Sequence, residues 1–309
     1  MHPDKTIIIH SPGTIANLVC GFDILGLCLN EPCDEMQMRI IPEKKVNIIS
    51  DDGYNLPSDP MLNTAGAPLV EILNEMDADF GFEVRIKKNI KPGSGLGSSA
   101  ASAAGAVVGA DFLLGNVFSK KRLVQYAMTG EKIASGVKHA DNVAPCIYGG
   151  ITLIRSIFPL DIVPLSSPAL WVSVVHPQIE IRTADARQIL RKEVLLKDAI
   201  KQWGNVAGLV AGLMQSDFDL IGRSLEDVII EPTRSILIPG FDAVKKQTKA
   251  AGTLGGGISG SGPSIFMLST TEQTAQHVAT EMKQVYWNMG IPHNIYVTTI
   301  NQTGIKISG

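Results

Sequence analysis

An α/β (α+β) fold in two layers is what the sequence predicts, and three observations predict it. Short β-branched runs alternate with longer segments of helical period. A proline-rich stretch without period, Phe158 to Pro168, divides the chain into halves, 1–160 and 161–309. A cluster of glycines at 93–97 lies between a strand pattern and a helix pattern, a place where a chain can receive an anion.

In order, Thr6 to His10, Met36 to Ile41 and Phe82 to Lys87 read as strands, the last two with clear alternation. Ser98 to Leu114 reads as a helix made mostly of Ala and Gly, so it must approach its neighbours closely. Ser119 is an N-cap for a helix running to about Ile133, with Leu123, Ala127 and Ile133 near helical spacing. Ile147 to Ile154 and Leu170 to Val175 are strands. In the second half, Thr183 to Leu196, Asp198 to Met214, Gly240 to Ala251 and Thr271 to Met289 read as helices. Ser264 to Leu268 and Asn294 to Ile300 are the strands among them.

Composition narrows the class of function. The chain has 309 residues, enough for two domains, and 45 % hydrophobic against 18 % charged residues describes a globular protein. Twenty-seven basic and 30 acidic residues leave a formal charge of −3, which gives no footprint for nucleic acid. The four cysteines, Cys20, Cys28, Cys33 and Cys146, form no CxxC pair, so a zinc site is not expected and reduced thiols in a cytoplasmic protein are. The residues from Met1 to His10 do not read as a signal peptide, and the small-residue run from Ala100 to Ala110 ends at Asp111, too short for a membrane.

The sharpest chemical signal is Lys91-Pro-Gly-Ser-Gly-Leu-Gly-Ser-Ser-Ala-Ala101, after a strand and opening a helix. Alternate glycines let the backbone come close to an anion, and the serines fall where free N–H groups and the helix dipole favour phosphate. The spacing is neither the dinucleotide fingerprint nor a Walker loop. By these residues alone the segment is either an anion loop or a tight strand-to-helix turn. A second cluster, Gly255 to Pro263, reads as a hairpin, or as a second anion-friendly loop.

Several polar residues have no evident structural task. Glu131 lies one turn before a Ser135-Gly136 helix stop, and His139, Asp141 and Asn142 share a loop ahead of a strand. Asn17 and Asp23 interrupt an apolar segment, where a turn role is the simplest reading. Thr183, a natural N-cap, and Arg187 stand four apart on one helix face, while Arg234 precedes Ile238-Pro-Gly.

Together these segments resemble the GHMP kinases, and within them the homoserine kinase branch, from Ser11 to about Leu268. Gly95 to Ala100 matches the family's phosphate loop, with its proline displaced by one position to Pro92. Ala16-Asn-Leu-Val-Cys-Gly-Phe-Asp23 matches the branch's Ala-Asn-Leu-Gly-Pro-Gly-Phe-Asp, with Val19 and Cys20 in place of Gly-Pro. His139 to Pro145, Glu231 to Phe241 and Ile258 to Pro263 are close matches.

The resemblance implies a ribosomal-S5-like ATP-binding domain over 1–160 and a ferredoxin-like domain over 161–309. It implies transfer of a phosphoryl group from ATP to L-homoserine on the route to threonine. Lys91, Pro92, Gly93, Ser94, Gly95, Leu96, Gly97, Ser98, Ser99, Ala100 and Ala101 would then surround the triphosphate, with Asn63 near the adenine. Ser98 and Glu131 would help hold Mg²⁺. Arg187 and Arg234 would take the amino acid's carboxylate and Asp23 its ammonium, with Asn17, His139 and Gly260 completing the pocket. Asn142 would hydrogen-bond the reacting hydroxyl. Asp141 is either a general base or a residue that shapes the loop. Family members commonly form homodimers. Another GHMP small-molecule kinase, mevalonate-like, or a non-catalytic ligand-binding member are the competing readings.

Overall fold

The computed structural model describes residues 5–50, 53–181 and 183–309, with the side chains of residues 183 and 184 outside the description. The first half contains β1 (Ile7–Ala16), β2 (Leu25–Ile41), β3 (Val46–Ser50), α1 (Gly66–Glu75) and β4 (Gly81–Lys87), followed by α2 (Ser98–Leu114) and α3 (Lys120–Ser135). Next come α4 (Val143–Tyr148), β5 (Ile151–Ile157), β6 (Leu160–Leu165) and β7 (Trp171–Pro177). The remainder is α5 (Thr183–Gln188), α6 (Leu196–Gln215), α7 (Phe218–Ser224), α8 (Glu231–Arg234), α9 (Phe241–Ala250), β8 (Gly255–Ile258), β9 (Ile265–Ser269), α10 (Glu272–Asn288), β10 (His293–Thr299) and β11 (Lys306–Ser308).

Two sheets carry the architecture. The first has seven strands, with β11-β1-β2-β4-β3 in order and β5-β6 joined to the other end of β2. Its long strand β2 makes this possible, since Leu25–Leu27 pair with β5 while Glu35–Ile41 pair with β4. The second sheet, β10-β7-β9-β8, is antiparallel throughout. Alternation decides which face each strand buries: Phe82, Val84 and Ile86 of β4 are buried and Arg85 and Lys87 are exposed.

Helix α2 has the bounds expected from the sequence and is apolar nearly all round, which makes it a central helix. Its glycines set its depth. A Cβ on Gly105 would stand 2.2 Å from Ser11 Oγ, and one on Gly109 would stand 2.3 Å from Ile9 Cδ1. Close approach to β1 is therefore open only to glycine at these two positions. Ser119 caps α3 by accepting from the Arg122 N–H at 3.2 Å, as expected.

Three expectations need correction. Residues 147 and 148 are not strand but the end of α4, so the loop holding His139, Asp141 and Asn142 leads into a helix. Pro145 is tolerated there because the N–H groups of a first turn have no helical partner to lose. The proline-rich stretch 158–168 is not merely a join, because it contains β6, which pairs with β5. Pro164 fits because β6 is an edge strand with no neighbour on its other side. The chain changes sheets only after Leu165, and β11 returns from its far end to pair with β1. Finally, the helix expected over 183–196 stops at Gln188. Ile189, Val194 and Leu195 beyond it are exposed, so no buried apolar face supports further turns. The expected N-cap side chain of Thr183 lies outside the described residues.

Among the described residues, no helix is long and apolar enough to cross a membrane. All four cysteines are free, and burial pushes the thiols of Cys20 and Cys33 up to about 12.

Candidate active site

A cleft of about 1010 Å³ opens where the two sheets meet. The site residues that the resemblance implies all line it except Ser94, Leu96, Ala100 and Ala101, which turn inward and are buried. Leu96 and Ala101 join the core beneath the loop with Ile15 and Ile90. Ser94 accepts from the Leu96 N–H at 3.3 Å and so shapes the loop from within.

The loop's three glycines, Gly93, Gly95 and Gly97, have φ of +76°, +80° and +66°. The left-handed conformation costs an L-residue about 1–2 kcal/mol, so alternate glycines follow from the backbone path. Gly95 is doubly required, because its Cβ would fall 2.6 Å from the carbonyl oxygens of Ser259 and Gly262. The second glycine cluster is thus a hairpin turn between β8 and β9 that clasps the first. Ser259 Oγ donates to Gly95 O at 2.6 Å, and the Ser264 N–H reaches Ser94 O at 3.3 Å. Gly97 precedes α2 without capping it by a side chain, which leaves the first N–H groups of a 17-residue helix directed at the cleft.

Beneath this helix start lies a buried charge pair that sequence reading missed. Lys88 is ion-paired with Asp34 and donates to Ser98 O at 2.8 Å and Ser102 Oγ at 3.0 Å. Asp34 accepts from the N–H groups of Asn89 and Ile90, each at 2.8 Å. In the sequence Lys88 is one of two adjacent lysines after a strand and reads as a solvated charge. Lys91, at the cleft's edge, donates to Gln178 Oε1 at 2.9 Å, and Gln178 Nε2 lies 3.2 Å from His176 Nδ1. Burial, with the Lys91 charge nearby, pushes His176 down to about 4.

Glu131 is buried on α3, and its Oε1 has no hydrogen-bond partner among the described residues. Burial holds its carboxyl above the ordinary carboxylate value, against a hydrogen bond from Ser99. Ser98 Oγ donates its hydrogen to Ile90 O at 2.8 Å and keeps lone pairs free. An orphaned carboxylate oxygen and a hydroxyl oxygen lining one cleft are donors suited to a hard cation that also binds phosphate. Asn63 lines the same end of the cleft, near Tyr54, Leu56, Pro57 and Leu62. Its side chain accepts from the Ala65 and Gly66 N–H groups and donates to Pro57 O at 2.7 Å, so it holds this apolar rim in shape.

At the other end stand the charged residues. The loop joining β1 to β2 is left-handed at Asn17, Leu18, Val19 and Asp23, with φ of 74°, 41°, 65° and 61°. Val19 holds its φ at the position where the matching motif has glycine; it is buried, and that burial offsets the strain. Asn17 closes the loop by accepting from the Asp23 N–H at 3.0 Å and donating to Gly260 O at 2.9 Å. Its polar groups are therefore committed to the scaffold. Arg234 is buried on α8, with Nε on Ala186 O at 3.0 Å and Nη1 on Gly260 O at 3.1 Å. Arg187, from α5, places Nη2 on both Asp23 oxygens at 2.8 and 2.9 Å. The guanidinium carbons of Arg187 and Arg234 lie 5.5 and 4.9 Å from the Phe22 ring centroid, a cation–π support that the sequence did not reveal.

Between the two ends lie His139, Asp141 and Asn142. His139 Nδ1 is 3.8 Å from Asp23 Oδ1, its Nε2 is buried without a partner among the described residues, and burial lowers its pKa. Burial, and then the Asp23 and Glu131 charges, push the Asp141 carboxyl up to about 7. Asn142 Oδ1 accepts from Thr14 Oγ1 at 2.8 Å. A site with amides for an anion at one end, paired opposite charges at the other and a titratable carboxyl between is arranged for group transfer between two polar ligands.

Comparison with known proteins agrees with this geometry. The family model described as the GHMP kinases N terminal domain matches residues 63–150, and the GHMP kinases C terminal model matches residues 209–286. The homoserine kinase of Chloroherpeton thalassium is 42 % identical, over 98 % of this chain and 99 % of its own. A crystal structure of homoserine kinase from Cytophaga hutchinsonii superposes with a TM-score of 0.95 at 48 % identity, covering 98 % of this chain and 97 % of that one. L. major mevalonate kinase, at 15 % identity and a TM-score of 0.71, shares the fold. With such identity over almost the whole of both chains, this protein belongs to the GHMP kinases, phosphotransferases that act on a hydroxyl group, and within them to the homoserine kinase family.

Proposed function

We propose that the protein transfers the γ-phosphoryl group of ATP to the hydroxyl of L-homoserine, giving ADP and O-phospho-L-homoserine. The observation that carries this reading is the cleft's far end, where two arginines meet on one aromatic ring and one of them pairs with Asp23. A zwitterion needs both signs within a few ångströms, whereas a sugar or a hydroxy acid does not.

The free N–H groups at the start of α2 and the backbone from Gly93 to Ser99 receive the triphosphate, and Lys91 at the cleft's edge adds positive charge. The adenine lies against the apolar rim of Leu56, Pro57 and Leu62, beside Asn63. Glu131 and Ser98 would hold Mg²⁺, which when bound would neutralise charge on the phosphates. The ammonium of homoserine takes up Asp23, and its carboxylate draws the freed Arg187 together with Arg234. His139, neutral at working pH, fills the wall beside them. Asn142 orients the hydroxyl. The new bond joins hydroxyl oxygen to γ-phosphorus, the bond to the bridging oxygen of ADP breaks, and the hydroxyl proton leaves. A loose transition state places little demand on a base, so positioning is the main contribution of these residues.

We also propose a homodimer in the cytoplasm. Leu196, Ile200 and Trp203 form an exposed apolar stripe near the start of α6. Two copies packed antiparallel about Ile200 would cover the stripe. The free thiols fit a reducing compartment.

The test of function is ADP release with homoserine, mevalonate and galactose as acceptors. Turnover of homoserine alone is expected; turnover of mevalonate with none of homoserine would overturn the substrate assignment.

A further inference from the structure

We propose that Thr14 is a positioning residue for phosphoryl transfer: it fixes which end of the Asn142 amide meets the acceptor hydroxyl. The inference rests on the reading that Asn142 orients that hydroxyl.

Thr14 lies on β1, just after the register shift between Pro12 and Thr14 in the pairing of β1 with β2. The bulge turns its side chain out of the ladder pattern and toward α4. It is completely buried, and it does not line the cleft, so it cannot touch either ligand. What it does touch is the machinery on both sides. Its backbone N–H donates to Leu96 O at 3.1 Å, within the phosphate loop. Its hydroxyl donates to Asn142 Oδ1 at 2.8 Å. Gly97 packs over the pair so tightly that a Cβ there would stand 2.0 Å from Thr14 Oγ1 and 3.0 Å from Asn142 Oδ1.

An asparagine amide has one accepting end and one donating end, nearly equal in shape. With Oδ1 held by the threonine hydroxyl, Nδ2 is the end left to the cleft, and among the described residues it makes no hydrogen bond. Turning the amide over would set Nδ2 against Thr14 Oγ1. The hydroxyl hydrogen would then lose the acceptor it has in a fully buried place, and such a loss disfavours the turned state. Asn142 therefore donates to the acceptor oxygen and does not accept from it. The attacking oxygen is held through one lone pair, and its proton points away from Asn142, free to leave toward a phosphate oxygen as the new bond to phosphorus forms. Thr14 thus couples the anion loop to the acceptor through a single side chain.

Thr14→Val keeps the shape and removes the donor. With the amide free to turn, kcat for homoserine is expected to fall roughly tenfold to hundredfold, the scale of a reacting group misplaced by about an ångström. The KM for ATP should stay within about twofold of wild type. Thr14→Ser keeps the hydroxyl and should restore most of kcat. In the Asn142→Leu background, Thr14→Val should have no further effect on kcat, because the residue through which it acts is gone. A serine variant as slow as the valine variant, or additive losses in the double variant, would overturn the proposal, as would an equal loss of ATP affinity and kcat. If homoserine is not phosphorylated but another alcohol is, the substrate assignment fails while the same cycle, run on that alcohol, still judges Thr14. If no alcohol is phosphorylated, both fail.

Discussion

Arg187 and Arg234 serve one carboxylate in the proposed complex, but the structure gives them different attachments, and replacing each by leucine separates binding from stability. The Arg187 side chain is 35 % exposed and its partner Asp23 is 32 % exposed, so their ion pair is worth about 0–1 kcal/mol to the fold. Arg234 is 3 % exposed and holds two backbone carbonyls, Ala186 O and Gly260 O. Each buried carbonyl left unpaired costs about 1–3 kcal/mol, so Arg234→Leu should lose roughly 2–6 kcal/mol of stability. Arg187→Leu should lose less than about 1 kcal/mol. For binding, each charged hydrogen bond to the ligand contributes about 1.5–3 kcal/mol, which is about tenfold to 150-fold in Kd. Both variants should therefore bind homoserine at least tenfold more weakly, and neither should change ATP affinity by more than about twofold. Titration calorimetry with each ligand, beside thermal melts, measures all three quantities for each variant. Unchanged homoserine affinity in Arg187→Leu, or a stability loss matching that of Arg234→Leu, would refute the assignment of Arg187 to the ligand.

Glu131→Gln should fold normally, require more Mg²⁺ and lose most of its turnover, read from initial rates across a magnesium series; ordinary magnesium dependence at nearly full rate would remove Glu131 from the site. Asp141, pushed up to about 7, keeps its proton in the folded protein at a pH where the unfolded chain has lost it. Its stabilisation is fully present below about pH 4 and is lost as the pH rises through about 7. Raising the pH from 6.5 to 8 should then cost the ligand-free protein about 1 kcal/mol, a fall of about 2–4 °C in Tm, and Asp141→Asn should flatten that slope. Below about pH 6.5 the lowered pKa of His139 acts in the opposite direction, so the window matters. Asp141→Asn should also retain measurable turnover, with Asn142→Leu at least as harmful; an acidic limb of the wild-type rate that vanishes in Asp141→Asn, with a fall of about three decades, would make Asp141 the general base. Trp203→Glu should convert the proposed dimer to monomers in sedimentation at unchanged kcat, and a monomeric wild type would remove α6 as an interface.

The elements legible in the sequence are those whose causes are local. The bounds of α2 follow from a glycine before it and a glycine after it, and the cap of α3 from one serine. The three left-handed glycines of the loop could be read because a positive φ is a demand each residue meets or fails alone. The motifs that resemble the family are likewise short and contiguous, which is why most of them could be placed along the cleft's lining by residue. What the sequence could not disclose is which polar groups answer one another. Arg187 and Asp23 are 164 positions apart, Thr14 and Asn142 are 128 apart, and Lys88 and Asp34 are 54 apart. Each pair is joined only when distant segments pack together, and no local pattern marks either member. Asn17 and Asn63, expected at the ligands, also carry bonds that hold the scaffold, since a hydrogen bond to a distant or neighbouring backbone group leaves no trace in residue type. Even the proline-rich stretch was misjudged for this reason: proline ends a central strand but suits an edge, and only the assembled sheet decides which strand is the edge.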